Sequence, residues 1–205
     1  MRRMASLCIT RRIALIATFC SMFASGARAA EAVRVRVTTN MGAFVIQLEP
    51  DRAPLTVENF LAYVRAGHYS GTLFHRVIAN FVVQGGGLDG QYQPRAARAP
   101  IANESGNGLR NTRGAVGLAR AAGPHTGDAQ FFVNVGDNPD LDPLPSRWGY
   151  AVFGRIVDGM DVIDRIALTP TGAMGPLKGE APLKAVVIES VAVEGDVDRT
   201  IAPAS

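Results

Sequence analysis

The side chains able to move protons or hold metals are scattered in this sequence, and no spacing joins them into a reactive set. His68, His75 and His125 stand apart from one another and from any cysteine, so no zinc-type pattern forms, and each reads as a structural or solvated ring. Gly85-Gly86-Gly87 lacks the following Gly-Lys-Ser/Thr of a phosphate loop, and no Gly-x-Ser-x-Gly elbow occurs. No metal and no cofactor is expected. Arg76 is permanently charged and carries a fork of donors, but its spacing among Phe74, His75, Val77 and Ile78 alone makes it a solvated charge on a strand. Phe81, Val82, Phe132 and Leu141 read by pattern as ordinary core. Gln130 and Phe132 are two apart and share one face of a strand.

The elements around these residues are mostly short strands. Val33, Val35 and Val37 alternate with Arg34 and Arg36, the period of a half-buried strand. Asn40-Met41-Gly42 turns the chain into a second strand, Ala43 to Leu48. A helix follows, with Thr56 as its cap, Val57, Phe60, Leu61 and Val64 along one face, and Gly67 at its end. Further strands are predicted over Leu73 to Ile78, Phe81 to Gln84, Ala115 to Ala119, Gln130 to Val135, Ala151 to Val157 and Ala185 to Val193, with a second helix over Met160 to Ala167. Many strands, few helices and no βαβ alternation point to an antiparallel barrel or sandwich. The two long aperiodic segments, 88–113 and 137–149, are expected at the surface, where long loops tend to be functional.

Three ordered blocks give the sequence its specificity. The first is Phe74-His75-Arg76-Val77-Ile78 followed by Phe81-Val82-Val83-Gln84-Gly85-Gly86-Gly87. The second is Gly114 to Arg120 with Gln130-Phe131-Phe132-Val133-Asn134. The third is Tyr150 to Val157 with Gly159-Met160. Together they closely resemble the cyclophilin family of peptidyl-prolyl cis-trans isomerases, over about Val33 to Val193. Asn103-Glu104 and Asn107 to Gly114 resemble its exported bacterial branch. The resemblance implies a mainly β fold: a closed eight-stranded antiparallel β-barrel capped by two α-helices, with the substrate groove outside one sheet.

It also implies a reaction. Rotation about a peptide bond faces a barrier of about 18–20 kcal/mol, and X-Pro bonds exchange in tens to hundreds of seconds. Catalysis requires a pocket that grips the prolyl ring and a donor that binds the twisted amide better than the planar one. By resemblance Arg76 and Gln84 are catalytic. Phe81, Val82, Phe132 and Leu141 hold the proline ring, while Gln130, Ala119, Arg120 and Tyr150 line the rest of the substrate site. Two positions depart from the family: Val82 stands where Met is common, and Asp140 where eukaryotic members carry the Trp that contacts cyclosporin, so that macrocycle is expected to bind weakly. Trp148, in a lengthened loop, is expected to refill part of the site. Asp140 and the long loops also leave open a module of the same fold that binds proline segments with little turnover.

Residues 1–29 read as a cleaved signal peptide: Arg2, Arg3, Arg11 and Arg12, an apolar run from Ile13 to Ala24, and Ala27-Arg28-Ala29 as the cleavage pattern. Thr10-Arg11-Arg12 leaves the export route open. Cleavage removes Cys8, Cys20 and five arginines but no acid. The 21 basic residues of the chain become 16 against 18 acids, a net charge of −2, which argues against nucleic acid as a partner. The expectation is a periplasmic monomer with one domain over residues 30–195 and a flexible tail over 196–205. It assists the folding of exported proteins, takes proline-containing peptides and unfolded chains as partners, and does not insert stably in a membrane.

Overall fold

The computed structural model describes residues 32–195. The signal-peptide and tail expectations therefore lie outside the described residues. The chain opens with the antiparallel hairpin β1 (Arg34–Thr39) and β2 (Gly42–Leu48), then α1 (Pro54–Arg65). Next come β3 (Thr72–Leu73), β4 (Arg76–Ile78), β5 (Val82–Gly85), β6 (Ala115–Leu118) and β7 (Phe131–Asn134). A 3-10 turn at Pro139–Leu141 leads to β8 (Val152–Asp158) and α2 (Met160–Ala167). The chain ends with β9 (Thr171–Met174), β10 (Leu177–Pro182) and β11 (Val187–Val193).

Nine of these strands form one antiparallel sheet in the order β3-β11-β1-β2-β8-β6-β7-β5-β4. Its two ends, β3 and β4, are parts of one chain segment bent at Phe74-His75, so the sheet curls round on itself and the 72–78 segment counts as an eighth strand. The seam is made by single bonds rather than a full ladder, so closure is approximate: the Gly86 N–H donates to the Leu73 carbonyl (3.2 Å) and the Leu73 N–H to the Leu88 carbonyl (2.9 Å). The single strand read over Leu73 to Ile78 is thus two. A side chain at Gly85 would meet the Leu73 carbonyl at 2.6 Å, so glycine is what lets the bent segment close over β5.

The barrel interior is solid. Phe60 of α1 packs 5.3 Å from Tyr69, 5.6 Å from Phe131 and 5.2 Å from Phe153, centroid to centroid, and Phe74 packs 5.8 Å from Phe131. Alternation along β5 and β7 sends Val83, Phe131 and Val133 into this core. Val82 and Phe132, on the opposite face, join Ala119 in a separate outer cluster. A ligand site is thereby confined to the outer face.

Helix α1 begins two residues before the predicted cap. Pro54, with φ already set for a helix, occupies its first turn. Thr56 does not cap it. Instead Glu104, from the long loop, accepts from the Leu55 N–H (3.1 Å), the Thr56 N–H (2.8 Å) and the Thr56 hydroxyl (2.7 Å), an anion at the positive end of the helix. The hairpin β9–β10 was not legible in the sequence, where 171–182 shows no alternation. It is pinned by a satellite core in which Ala181 packs with Leu73 and Tyr92.

His75 is buried in the bend, and among the described residues its Nδ1 has no hydrogen-bond partner. Burial holds its pKa below the ordinary value, and burial does the same to His68. The unfolded chain takes up these protons near pH 6.5 while the folded chain resists them. Stability is therefore expected to be level above about pH 6.5 and to fall below it, by at most about 1.4 kcal/mol per pH unit for each proton. Urea midpoints measured from pH 8 to 5 check this; His75→Leu should flatten part of the slope, and an unchanged slope would contradict the assignment.

Candidate active site

Four strands carry the site in one row. Register pairs Arg76 of β4 with Gln84 of β5, Gln84 with Phe132 of β7, and Phe132 with Gly117 of β6. The three side chains point outward, so a guanidinium, an amide and a phenyl ring lie side by side, with Gly117 next to the ring. Around them is an open pocket of about 410 Å³ lined by Arg76, Phe81, Val82, Gln84, Ala119, Arg120, Phe132, Leu141 and Tyr150. Nine of the ten residues proposed from the sequence thus meet in one cavity. The tenth, Gln130, lies in the adjoining cavity of about 230 Å³ with Thr126 and Asp128, and joins the first by accepting from the Gln84 amide at 3.1 Å.

The floor is apolar. Val82, Ala119 and Phe132 are buried, with Phe81, Leu141 and Tyr150 packed around them. Tyr150 meets Phe132 edge-on, at 5.8 Å and 83°. Gly117 leaves room beneath the Phe132 ring, and a methyl there would collide with it. Gly117→Ala is therefore expected to cost about 1–3 kcal/mol by overpacking and to push the ring up into the pocket. The check is KM for a ligand of this pocket: a rise with kcat largely kept is expected, and an unchanged KM would show that the ring is not the floor.

The cation sits at one wall. Arg76 donates through Nη1 to the Gln84 amide oxygen (3.4 Å) and through Nε to Glu180 (2.8 Å), and its guanidinium carbon lies 6.0 Å from the Phe81 ring centroid. Among the described residues no acceptor engages its Nη2. Arg120 is differently held. It stacks 4.5 Å from the Tyr150 ring and donates to the carbonyls of Gly149 (3.2 Å), Trp148 (3.0 Å) and Ala121 (3.1 Å), so it braces the rim.

A buried polar network positions the rest, and sequence reading did not identify it. The Asn138 amide donates to the Phe81 carbonyl (2.9 Å) and to Asn134 (2.7 Å), and the Asn134 amide donates to Asn111 (3.3 Å). Asp142 accepts from the Asn111 N–H (2.8 Å), the Asn111 amide (3.1 Å) and Arg110 (3.2 Å). The Tyr150 N–H donates to the Leu141 carbonyl at 2.9 Å. Phe81, Leu141 and Tyr150, from three different segments, are thereby tied to one scaffold. The sequence signals were the run Asn107 to Gly114 and Asn134 at the end of the second block, visible as motifs but not as a brace.

Trp148 does not refill the pocket. Its ring stacks edge-on with His125 at 5.2 Å and lines a separate cleft of about 370 Å³ with Leu144. Asp140 is exposed, outside the pocket lining. Among the described residues no cluster of His, Cys, Asp and Glu forms a metal site. The main pocket is lined by no carboxylate, imidazole or thiol. What it offers is an apolar cup, an amide and a fixed cation, suited to holding an apolar ring beside an acceptor that needs a strong donor.

The family described as cyclophilin type peptidyl-prolyl cis-trans isomerase/CLD matches residues 34–193. The chain is 49% identical over 164 residues to peptidyl-prolyl cis-trans isomerase cyp18 of Streptomyces antibioticus, covering 78% of this chain and 98% of that protein. It is 48% identical over 158 residues to peptidyl-prolyl cis-trans isomerase B of Escherichia coli (strain K12), covering 76% of this chain and 96% of that one. Among solved structures, a Cryptosporidium parvum cyclophilin crystallised in the presence of the dipeptide Ala-Pro superposes with a TM-score of 0.64 at 26% identity. The match covers 78% of this chain and 98% of that chain.

Proposed function

The chain belongs to the cyclophilin-type peptidyl-prolyl cis-trans isomerase family, and from that premise we propose that the outer pocket around Arg76 and Phe132 is where it turns X-Pro bonds. The activity itself, isomerisation of the peptide bond before proline, comes with the family. The assignment of roles is our reading. Val82, Phe132, Phe81 and Leu141 take the prolyl ring, burying it against apolar surface at about 25 cal/mol per Å². Gln84 and Gln130 orient the substrate backbone, Ala119 and Arg120 line its path, and Tyr150 closes the edge.

As the bond twists, conjugation is lost and the prolyl nitrogen regains a lone pair. The Nη groups of Arg76 donate to that nitrogen or hold the adjacent carbonyl more tightly in the twisted state than in the planar one, which lowers the barrier. The observation that carries this reading is the placement of a partly unengaged guanidinium at the wall of an apolar cup. Exchange of a short X-Pro peptide at substoichiometric protein tests it. Acceleration that a rigid proline-ring competitor abolishes is the expected result, whereas a competitor that binds the pocket and leaves turnover intact would place the chemistry elsewhere.

We further propose that the protein acts outside the cytoplasm, in the periplasm, on exported chains during folding. The motivating feature is the arginine-led apolar run before Ala27-Arg28-Ala29. Amino-terminal sequencing of protein from fractionated cells should begin at Ala30 in the periplasmic fraction; an intact Met1 in the cytosol would exclude this.

A further inference from the structure

Glu180 stands apart from the barrel, yet it makes the shortest polar contact with the guanidinium at its active wall. Of the three contacts on that group, the Phe81 ring at 6.0 Å and the Gln84 oxygen at 3.4 Å are both at the weak limit of their kind. The Glu180 carboxylate, 2.8 Å from Nε, is short and charge-assisted. The backbone is bent to deliver it. Glu180 has φ +61, a left-handed conformation that a residue with a side chain rarely adopts, and the β9–β10 register slips between Leu177 and Ala181 beside it. Backbone held in such a region needs its surroundings to over-determine it, and this happens most often at functional sites. Here the next residue, Ala181, is fully buried against Leu73 and Tyr92. The hairpin is thus nailed down on one side while it presents a carboxylate to Arg76 on the other.

We propose that Glu180 is a positioning residue for the isomerase reaction: by holding Nε of Arg76 it aims the two Nη groups at the prolyl amide. This inference rests on the reading of Arg76 as the donor. An arginine side chain partly exposed to water has many rotamers to lose, and Nε is the one donor of the fork that can be tied without taking an Nη group from the substrate. The carboxylate lessens the net charge at the wall, but a misdirected donor loses more than a partly neutralised one, since geometry errors near 1 Å can cost on the order of 100-fold in rate.

The test is steady-state isomerisation of an X-Pro peptide by the full chain and its variants. Glu180→Ala should lower kcat about 10-fold while KM stays within about twofold, the pattern of lost orientation rather than lost binding. Glu180→Gln, whose amide oxygen still accepts from Nε, should stay within about threefold of the parent. Glu180→Gly relaxes the left-handed backbone, so it should match or exceed the parent in thermal stability yet lose activity like the alanine variant. This separates positioning from a fold defect. The ¹⁵N-resolved Nε–H signal of Arg76 should shift and exchange faster with water in the alanine and glycine variants. Arg76→Ala combined with Glu180→Ala should be no slower than Arg76→Ala alone. If Arg76→Ala collapses turnover while both Glu180→Ala and Glu180→Gly keep or raise kcat, the positioning role is wrong and the carboxylate merely restrains the arginine. If Arg76→Ala turns over like the parent, the donor assignment fails first, and the role of Glu180 with it.

Discussion

Replacing Arg76 with alanine is expected to lower kcat/KM for an X-Pro peptide by about 100- to 1,000-fold, the range seen when one preorganised donor is removed from a transition-state site. The loss should fall mainly on kcat, because Val82, Phe132 and Leu141 line the apolar cup and, in the proposed reading, hold the ring without help from the guanidinium. Thermal stability should hardly change, since the Arg76–Glu180 pair is exposed at both ends and such pairs contribute about 0–1 kcal/mol. Arg76→Lys should recover little. An ammonium is a point charge on a flexible stem and cannot meet Gln84, Glu180 and the substrate at once. Peptide exchange rates with melting curves for both variants check this, and a fall in stability matching the fall in rate would point to a structural role instead.

The second large effect lies beneath the pocket. Asp142 is buried and takes three donors, two from Asn111 and one from Arg110. Asp142→Ala leaves the Asn111 N–H and amide without that acceptor in a dry interior, at a cost of about 3 kcal/mol, which lowers the melting temperature by about 6–12 °C in a domain of this size. Leu141 is the neighbouring residue and shares the 3-10 turn that this carboxylate anchors, so KM should rise as well. Burial alone would raise the Asp142 carboxyl, but the Asn111 and Arg110 donors outweigh it and hold its pKa below the usual carboxylate range. Its contribution is therefore present above about pH 3.9, the unfolded value, and is lost as pH falls through the lower folded value. Asp142→Asn keeps the shape and one acceptor oxygen, so it should be intermediate in stability and should lack this acid step. Equal stability of the parent and the alanine variant would mean that the network is not a brace.

The legible parts of this protein are those fixed by local pattern or by an ordered motif. The β1–β2 hairpin was visible in the sequence through its alternation of two, and helix α2 through the residues that bound it. Arg76, Gln84 and Phe132 were picked out only by the ordered blocks that resemble the family, since pattern alone read Arg76 as a solvated charge and Phe132 as core. The features that were missed depend on partners far along the chain. Glu104 caps α1 across 48 residues, where pattern alone favoured Thr56. The β9–β10 hairpin exists because Tyr92 and Leu73 supply the apolar surface that its own sequence lacks. The 72–78 strand reads as continuous until the sheet curls, and only closure forces the bend at Phe74-His75. Trp148 sits near Tyr150 in sequence but packs against His125 and lines a different cleft. In each case tertiary packing overrode a local preference.

Two-dimensional exchange NMR on a short X-Pro peptide mixed with ¹⁵N-labelled protein tests the central claim most directly, because it reads the reaction and its location together. The account predicts cis–trans exchange on a sub-second timescale, against tens to hundreds of seconds unaided, with shifts concentrated at Arg76, Val82, Gln84, Phe132 and Tyr150. Exchange accompanied by shifts at the Leu144–Trp148 cleft alone, or binding at the Phe132 pocket with no exchange, would contradict it.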